Sequence, residues 1–330
     1  MDWSDELLSV RAAELYYEDN KTQGEIGAEL HITRWKVGRL LEQARQRGVV
    51  RIEILHPRAR RLVLERRLRE ATALRDAVVV SSVGVRSSDE LQSRAAQAAA
   101  DYLTTLRPAP EVLGVSWGRT LHEVSSYLYA GWATGVQVVQ INGGVSRNRR
   151  SGTAAATAAA IAQKGGGSVT LMPSPAILEH LSTKIAIERD RVVAGVIALA
   201  RSSDVFLFSA GAADHGSVHI DSGYLTETDL DRLVANGAVG DVVGRYLNAA
   251  GHIVDSEIDN RTVGLTLDEI RAAHRTIAVI AGKSKHPVAR AVVKSGLCTV
   301  LITDEGTALD LLNGPNRVTN AKKPTTQESQ

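Results

Sequence analysis

A chain of 330 residues, 44% of them apolar, can bury a substantial core and suggests two domains more readily than one. A formal net charge of +2 excludes a uniformly basic or acidic polypeptide, one cysteine excludes an internal disulfide framework, and no apolar run approaches the roughly 18 residues of a membrane span. The opening MDWSDELLSV is acidic and amphipathic, unlike an export signal, so a cytoplasmic location is expected.

The first helix is predicted from about Ser4 to Tyr17. A second begins at Gln23, because Thr22 can cap it and Glu25, three residues on, completes a capping box. His31-Ile32 make a turn, and Thr33 caps a third helix in which Val37, Leu40, Leu41 and Ala44 recur at helical spacing. Arg34, Trp35, Lys36 and Arg39 then point away from the core. An ordinary amphipathic pair with a solvated basic face would share this periodicity. Trp35 among cations argues instead for a helix-turn-helix whose third helix reads DNA, with Thr22, Gln23, Thr33, Arg34, Trp35, Lys36 and Arg39 as contact candidates. Between Arg34 and Arg75 stand 13 Lys/Arg against four Asp/Glu, so the positive charge of a nearly neutral chain is concentrated where DNA would lie.

Val49 to Ile54 alternates like a short strand and suggests a wing, which sets a DNA-binding domain over residues 1–56. Residues 57–75 read as a helical linker with Leu62, Leu64, Leu68 and Leu74 among charges. Such a stripe on a connector more often buries against a second copy, and two half-sites need two reading heads, so a dimer or larger homo-oligomer is expected.

From Asp76 strands alternate with helices, the pattern of a Rossmann-like α/β domain with a parallel sheet covered on both faces, extending over residues 76–318. The strand candidates are 77–80, 112–115, 136–141, 169–172, 205–209, 277–281 and 299–302. Thr153 to Ala162 is an Ala-rich helix, Cys298 is core filler, and residues 319–330 read as a disordered tail. Histidines such as His31, His56, His122, His180, His252 and His274 stand alone, so neither a metal site nor a cofactor is expected.

The chemical centre is Leu113-Gly114-Val115-Ser116-Trp117-Gly118-Arg119-Thr120, a strand that turns through glycine into a helix at Leu121 to Tyr129. Backbone N–H groups at a helix N-terminus, with the hydroxyls of Ser116 and Thr120, suit an anion such as phosphate. The same turn is common for steric reasons alone. Further loops at strand ends strengthen the reading: Ile141-Asn142-Gly143-Gly144 followed by Arg147, Arg149 and Arg150; Ser209-Ala210-Gly211; and Gly282-Lys283-Ser284-Lys285, whose lysine can neutralise a phosphate. Gly237 to Asp241 supplies a carboxylate for sugar hydroxyls. The set favours a phosphorylated polyol over a nucleotide, since both GxxxxGK[ST] and GxGxxG are absent.

The chain resembles the SorC-type transcriptional regulators. The resemblance rests on TQGEIGAELHITRWKVGRLLEQAR, LGVSWGRTL, VVQINGG, SGYLTETDL, NGAVGDVVGRYLNAAGHIVD, RTVGLTLDEI and VLITDEGTALDLL, seven motifs in order from about residue 8 to 312. It implies a helix-turn-helix joined to an effector domain similar to phosphosugar isomerases and deaminases, and control by a phosphorylated sugar. It also implies a tetramer built as two dimers, and a mild preference for repression relieved by ligand. Carried over by position, Ser116, Gly118, Arg119 and Thr120 make the phosphate loop, Lys285 reaches the same phosphate, and Asn142, Gly143, Thr153 and Asp241 line the sugar. Where the family often has AGG before its lysine this chain is one residue shorter, so Lys283 competes with Lys285; the spacing to Thr303-Asp304-Glu305 favours Lys285. Trp35-Lys36 replaces small or proline-like residues and leaves the operator sequence open.

The rival is a phosphosugar isomerase or deaminase with an appended basic domain. It needs a poised general base, for which only Asp241 and Glu257 are candidates, and neither has a nearby histidine in sequence. An RNA-binding module would need stacking aromatics, and aromatic residues make up only 4% of the chain.

Overall fold

The computed structural model describes residues 3–50, 59–145 and 154–314, and the chain separates into two compact units, Met1–Leu55 and His56–Gln330. The first contains α1 (Trp3–Tyr17), α2 (Gln23–Glu29) and α3 (Arg34–Gln46). The Thr22 hydroxyl accepts from the Glu25 N–H at 3.3 Å, and the Glu25 carboxylate accepts from the Thr22 N–H at 2.8 Å, so the capping box opens α2. His31 takes a φ of 53° in the turn, and Thr33 accepts from the Lys36 N–H to cap α3. Val37, Leu40, Leu41 and Ala44 close with Ile26, Ala12 and Leu15 into one small core. Of the expected wing strand only Val49 and Val50 lie within the described residues, where they form a bend.

The second unit opens with α4 (Leu62–Ala71), β1 (Asp76–Val80), α5 (Ser88–Thr105), β2 (Val112–Val115), α6 (Arg119–Tyr127), β3 (Gln137–Gln140), α7 (Ala154–Lys164) and β4 (Ser168–Thr170). It continues with α8 (Leu181–Arg189), α9 (Arg191–Arg201), β5 (Val205–Ala212), α10 (Val218–Asp221), α11 (Glu227–Ala235), β6 (Gly240–Val242) and β7 (Arg245–Leu247). The last elements are α12 (Ser256–Arg261), α13 (Leu267–Arg271), β8 (Thr276–Val279), α14 (His286–Lys294), β9 (Val300–Asp304) and α15 (Glu305–Asn313). Seven strands pair in parallel in the order β1-β9-β8-β5-β2-β3-β4. These are the seven strands anticipated from the sequence.

Both faces of this sheet are covered, and strand residues alternate between two cores. In β5, Phe206 and Phe208 join one cluster while Val205 and Leu207 join the other. Gly114, opposite Phe206 in β2, is where the first core needs no side chain. A Cβ there would meet Phe206 Cδ1 at 2.5 Å and Ile141 Cγ2 at 2.8 Å. Gly114→Ala is therefore expected to destabilise by about 1 to 3 kcal/mol through overpacking, read as a lowered midpoint in urea with an unchanged slope.

Two elements depart from expectation. Residues around Asp241 form an antiparallel hairpin, β6 to β7, attached to the end of β5, which the seven strand candidates did not include. Its two-residue loop, Val243-Gly244, has φ of 51° and 86°, the twist a tight hairpin needs but a strained one for a β-branched residue. The linker helix, expected to bury its stripe against a second copy, uses most of it at home. Leu64, Leu68 and Leu74 lie in the core of the second unit, whereas Leu62 and Val63 stay 66% and 62% exposed. The expected tail lies outside the described residues.

Candidate functional site

The loops after β2 and β5 leave neighbouring strands in opposite directions along the sheet, toward β3 and toward β8. Open α/β sheets gather ligands at such a point. A cleft of about 910 Å³ opens there. It brings together Ser116, Gly118, Arg119 and Thr120 from the β2–α6 turn, Asn142 after β3, Asp241 of β6, and both Lys283 and Lys285. These positions span more than 160 residues of sequence, and only the sheet order makes them neighbours.

At one end Gly118 caps α6 with a φ of 130°, which turns the backbone of the helix N-terminus toward the cleft. Thr120 is buried, and its hydroxyl accepts from Lys285 Nζ at 3.4 Å. Burial, reinforced by the Arg119 guanidinium, pushes the Lys285 ammonium down to about 8, against the opposing pull of Asp241, Asp214 and Glu123. Lys283 lines the same cleft but is exposed. Arg119 is exposed as well and donates to the Gly216 carbonyl at 2.9 Å. Among the described residues Ser116 Oγ and Asn142 Oδ1 are buried without a hydrogen-bond partner, and polar groups of a ligand in the cleft would satisfy them.

At the other end stands a pair invisible in the sequence. Asp241 Oδ2 lies 3.0 Å from His219 Nε2 and accepts from the Gly244 N–H at 3.0 Å, with the two side chains only 8% and 4% exposed. Burial acts to raise the Asp241 carboxyl, but His219 and the Gly244 N–H outweigh it and hold the group below the ordinary carboxylate range. Asp241 has no histidine near it in sequence, and the fold supplies one. His219 comes from α10, 22 residues away, and the hairpin returns Asp241 to it. Its ring also meets Trp117, Tyr224 and Tyr246 edge-on or tilted, with centroids 5.8 to 6.2 Å apart.

Two candidates fall elsewhere among the described residues. Gly143 is not in the cleft wall: its backbone packs against Pro175, where a Cβ would lie 2.1 Å from the carbonyl, and its own carbonyl accepts from the Trp117 indole at 2.7 Å. Glu257, the second base considered for an enzyme, sits on α12, is exposed, pairs with Arg261 and does not line the cleft. Thr153 lies outside the described residues, as do Arg147, Arg149 and Arg150. Among the described residues no His, Cys, Asp and Glu cluster could hold a metal, and no helix is long and apolar enough to cross a membrane.

On the first unit, Gln23, Thr33, Arg34, Trp35, Lys36, Gly38 and Arg39 surround a shallow hollow at the N-terminus of α3. Arg34, Trp35 and Arg39 are exposed, opposite the face buried by Val37, Leu40, Leu41 and Ala44. Thr22 does not line this hollow; its hydroxyl serves the α2 cap.

Residues 56–313 match the family model of a sugar-binding domain, Sugar-bind. The chain is 30% identical over 313 residues to the deoxyribonucleoside regulator of Bacillus subtilis, covering 95% of this chain and 99% of that protein. It is likewise 30% identical to the transcriptional regulator LsrR of an Enterobacter strain, over 94% of each chain. Among solved structures, the full-length sorbitol operon regulator SorC of Klebsiella pneumoniae superposes with a TM-score of 0.68 at 27% identity, covering 94% of this chain and 99% of that one.

Proposed function

The chain belongs to the SorC-type family of sugar-binding transcriptional regulators, and from that premise we propose that it binds operator DNA through α3 under the control of a phosphorylated sugar held in the β2–β5 cleft. The observation that carries the effector half is the convergence of Lys285, two unsatisfied buried acceptors and an ionised Asp241 in one cleft. Phosphate sits on the Gly118–Thr120 backbone with Lys285, and sugar hydroxyls donate to Asp241 and Asn142. The genes controlled are those of carbohydrate metabolism, with repression relieved by ligand. The protein acts in the cytoplasm as a homo-oligomer, a dimer or tetramer, with Leu62 and Val63 available on α4.

The His219–Asp241 pair favours the enzymatic rival more than the sequence did. Both members are deeply buried and bonded to each other, His219 Nδ1 has no partner among the described residues, and Glu257 is remote; it is the likeness to transcriptional regulators over nearly the whole chain that favours a cleft that holds a sugar over one that moves its protons. A duplex from the DNA upstream of the coding region, labelled and titrated at fixed salt with and without a panel of pentose and hexose phosphates, tests the proposal by fluorescence anisotropy. A specific complex whose affinity one sugar phosphate shifts supports it. Turnover of a sugar phosphate that Asp241→Ala abolishes would support the enzyme.

The coupling has a physical route. The Gly282 N–H, in the turn that carries Lys285, donates to Asp304 Oδ2 at 2.8 Å, and Asp304 caps α15 through the Thr307 N–H. The next residue, Glu305, accepts from Arg61 Nε at 2.9 Å, immediately before α4. Arg61 is further tied by its N–H to the Val79 carbonyl at 2.8 Å, and the chain upstream of it leads to the first unit. A ligand that repositions Lys285 thus pulls on the segment joining the units. Glu305→Gln is expected to leave the separate affinities for DNA and sugar phosphate within about twofold while cutting their mutual effect about threefold, as a partly buried ion pair allows; anisotropy titrations with and without ligand measure both.

A further inference from the structure

Trp35 is the most exposed large apolar side chain among the described residues, at 90%. Folding gains nothing from an indole left in water, and the core of the first unit closes on Ala12, Leu15, Ile26, Val37, Leu40, Leu41 and Ala44 without it. Trp35 shares a helical face with Arg34, Gly38 and Arg39, since positions i, i+3 and i+4 lie together and the buried stripe runs along the opposite side. Gly38 leaves that face low beside the indole. The Gln23 side chain leans over it, with Oε1 at 3.4 Å from where a Cβ would stand, so the hollow has a floor of backbone and walls of indole, guanidinium and amide.

A second copy of the chain does not fit this face, because it would set Arg34, Lys36 and Arg39 against themselves. A duplex does fit: its phosphates match the cations, and a helix N-terminus enters the major groove. Among the groups on the major-groove edges of the bases, the thymine 5-methyl is the apolar one, and an apolar wall beside a small hollow suits it. We propose that Trp35 is a specificity-determining residue that packs on a thymine methyl at one base pair of each half-site. The inference rests on the reading of the chain as a DNA-binding regulator.

The test begins with duplexes selected by the full chain from a random library. In the selected duplex each thymine is replaced singly by uracil, which removes the methyl and keeps every hydrogen-bonding group. For the unaltered protein one thymine per half-site is expected to show a loss of about fourfold, the scale of burying one methyl group. In Trp35→Ala that penalty disappears while the other positions and the salt dependence stay unchanged; in Trp35→Phe part of it remains. Because Trp35 is almost fully exposed, the thermal midpoint of each variant should match that of the unaltered chain. No methyl-sensitive position, or a penalty that persists in Trp35→Ala, overturns the assignment to Trp35 alone. A library from which no duplex is enriched overturns the regulator reading with it.

Discussion

Lys285→Ala is expected to weaken sugar-phosphate binding about 10- to 150-fold and to abolish the ligand response, with operator affinity retained. The magnitude is that of a charge-assisted hydrogen bond, roughly 1.5 to 3 kcal/mol. Isothermal titration with the responsive sugar phosphate, alongside anisotropy on the operator, separates the two effects. Lys283→Ala is the comparator: it lines the cleft but is exposed, so the effect on binding should be small. If Lys283→Ala abolishes the response and Lys285→Ala does not, the phosphate belongs to Lys283.

The same lysine sets a pH dependence. Its ammonium titrates near 8, below the ordinary lysine value, because burial and Arg119 both disfavour the charge. The charged form is the one that holds phosphate, so affinity is fully present below about pH 8 and declines as pH rises through it. A sugar phosphate loses its second negative charge near pH 6, which bounds the window from below. Lys285→Arg keeps the charge and should remove the alkaline decline. Since a folded state that depresses a lysine pKa is penalised by that charge at neutral pH, Lys285→Ala should melt no earlier than the unaltered chain. A lower midpoint would show that Lys285 supports the fold rather than the ligand.

Arg39→Ala and Arg34→Ala should each weaken specific DNA binding by about 1 to 3 kcal/mol, five- to 150-fold, and leave sugar-phosphate affinity unchanged. Both side chains are exposed on the hollow face of α3, and the variants spare the core that Val37, Leu40, Leu41 and Ala44 build. The form of the loss tells base from backbone. An arginine on a guanine edge relaxes specificity at one position, whereas one on a phosphate weakens all sequences alike and lowers the salt slope by about one. Loss of sugar-phosphate binding in either variant would signal misfolding instead of a lost contact.

Local rules carry far in this chain because so many of its decisions are local. Thr22 with Glu25 and Thr33 with the Lys36 N–H start helices within four residues, and the short β-branched apolar runs of the second unit fit buried strands. The turn from β2 into α6 was legible for the same reason, since strand, glycine and helix start follow one another within a few residues. Other parts were not legible. Leu64 and Leu68 look alike whether they meet a second copy or their own sheet, and periodicity names a face without naming what covers it.

By itself, then, the order of residues determined the elements, the parallel sheet, the exposed basic face of α3 and the strand–glycine–helix turn at Ser116 to Thr120, because capping and periodicity act over a few residues. Tertiary structure alone decided that Asp241 pairs with His219, that Lys285 rests on Thr120 rather than in solvent, that Gly143 serves packing, and that Glu305 ties the lysine turn to Arg61. Those contacts join residues 22 to 244 positions apart. Their physical cause is the strand order, which sets distant loops at one edge of the sheet where burial and charge can act between them.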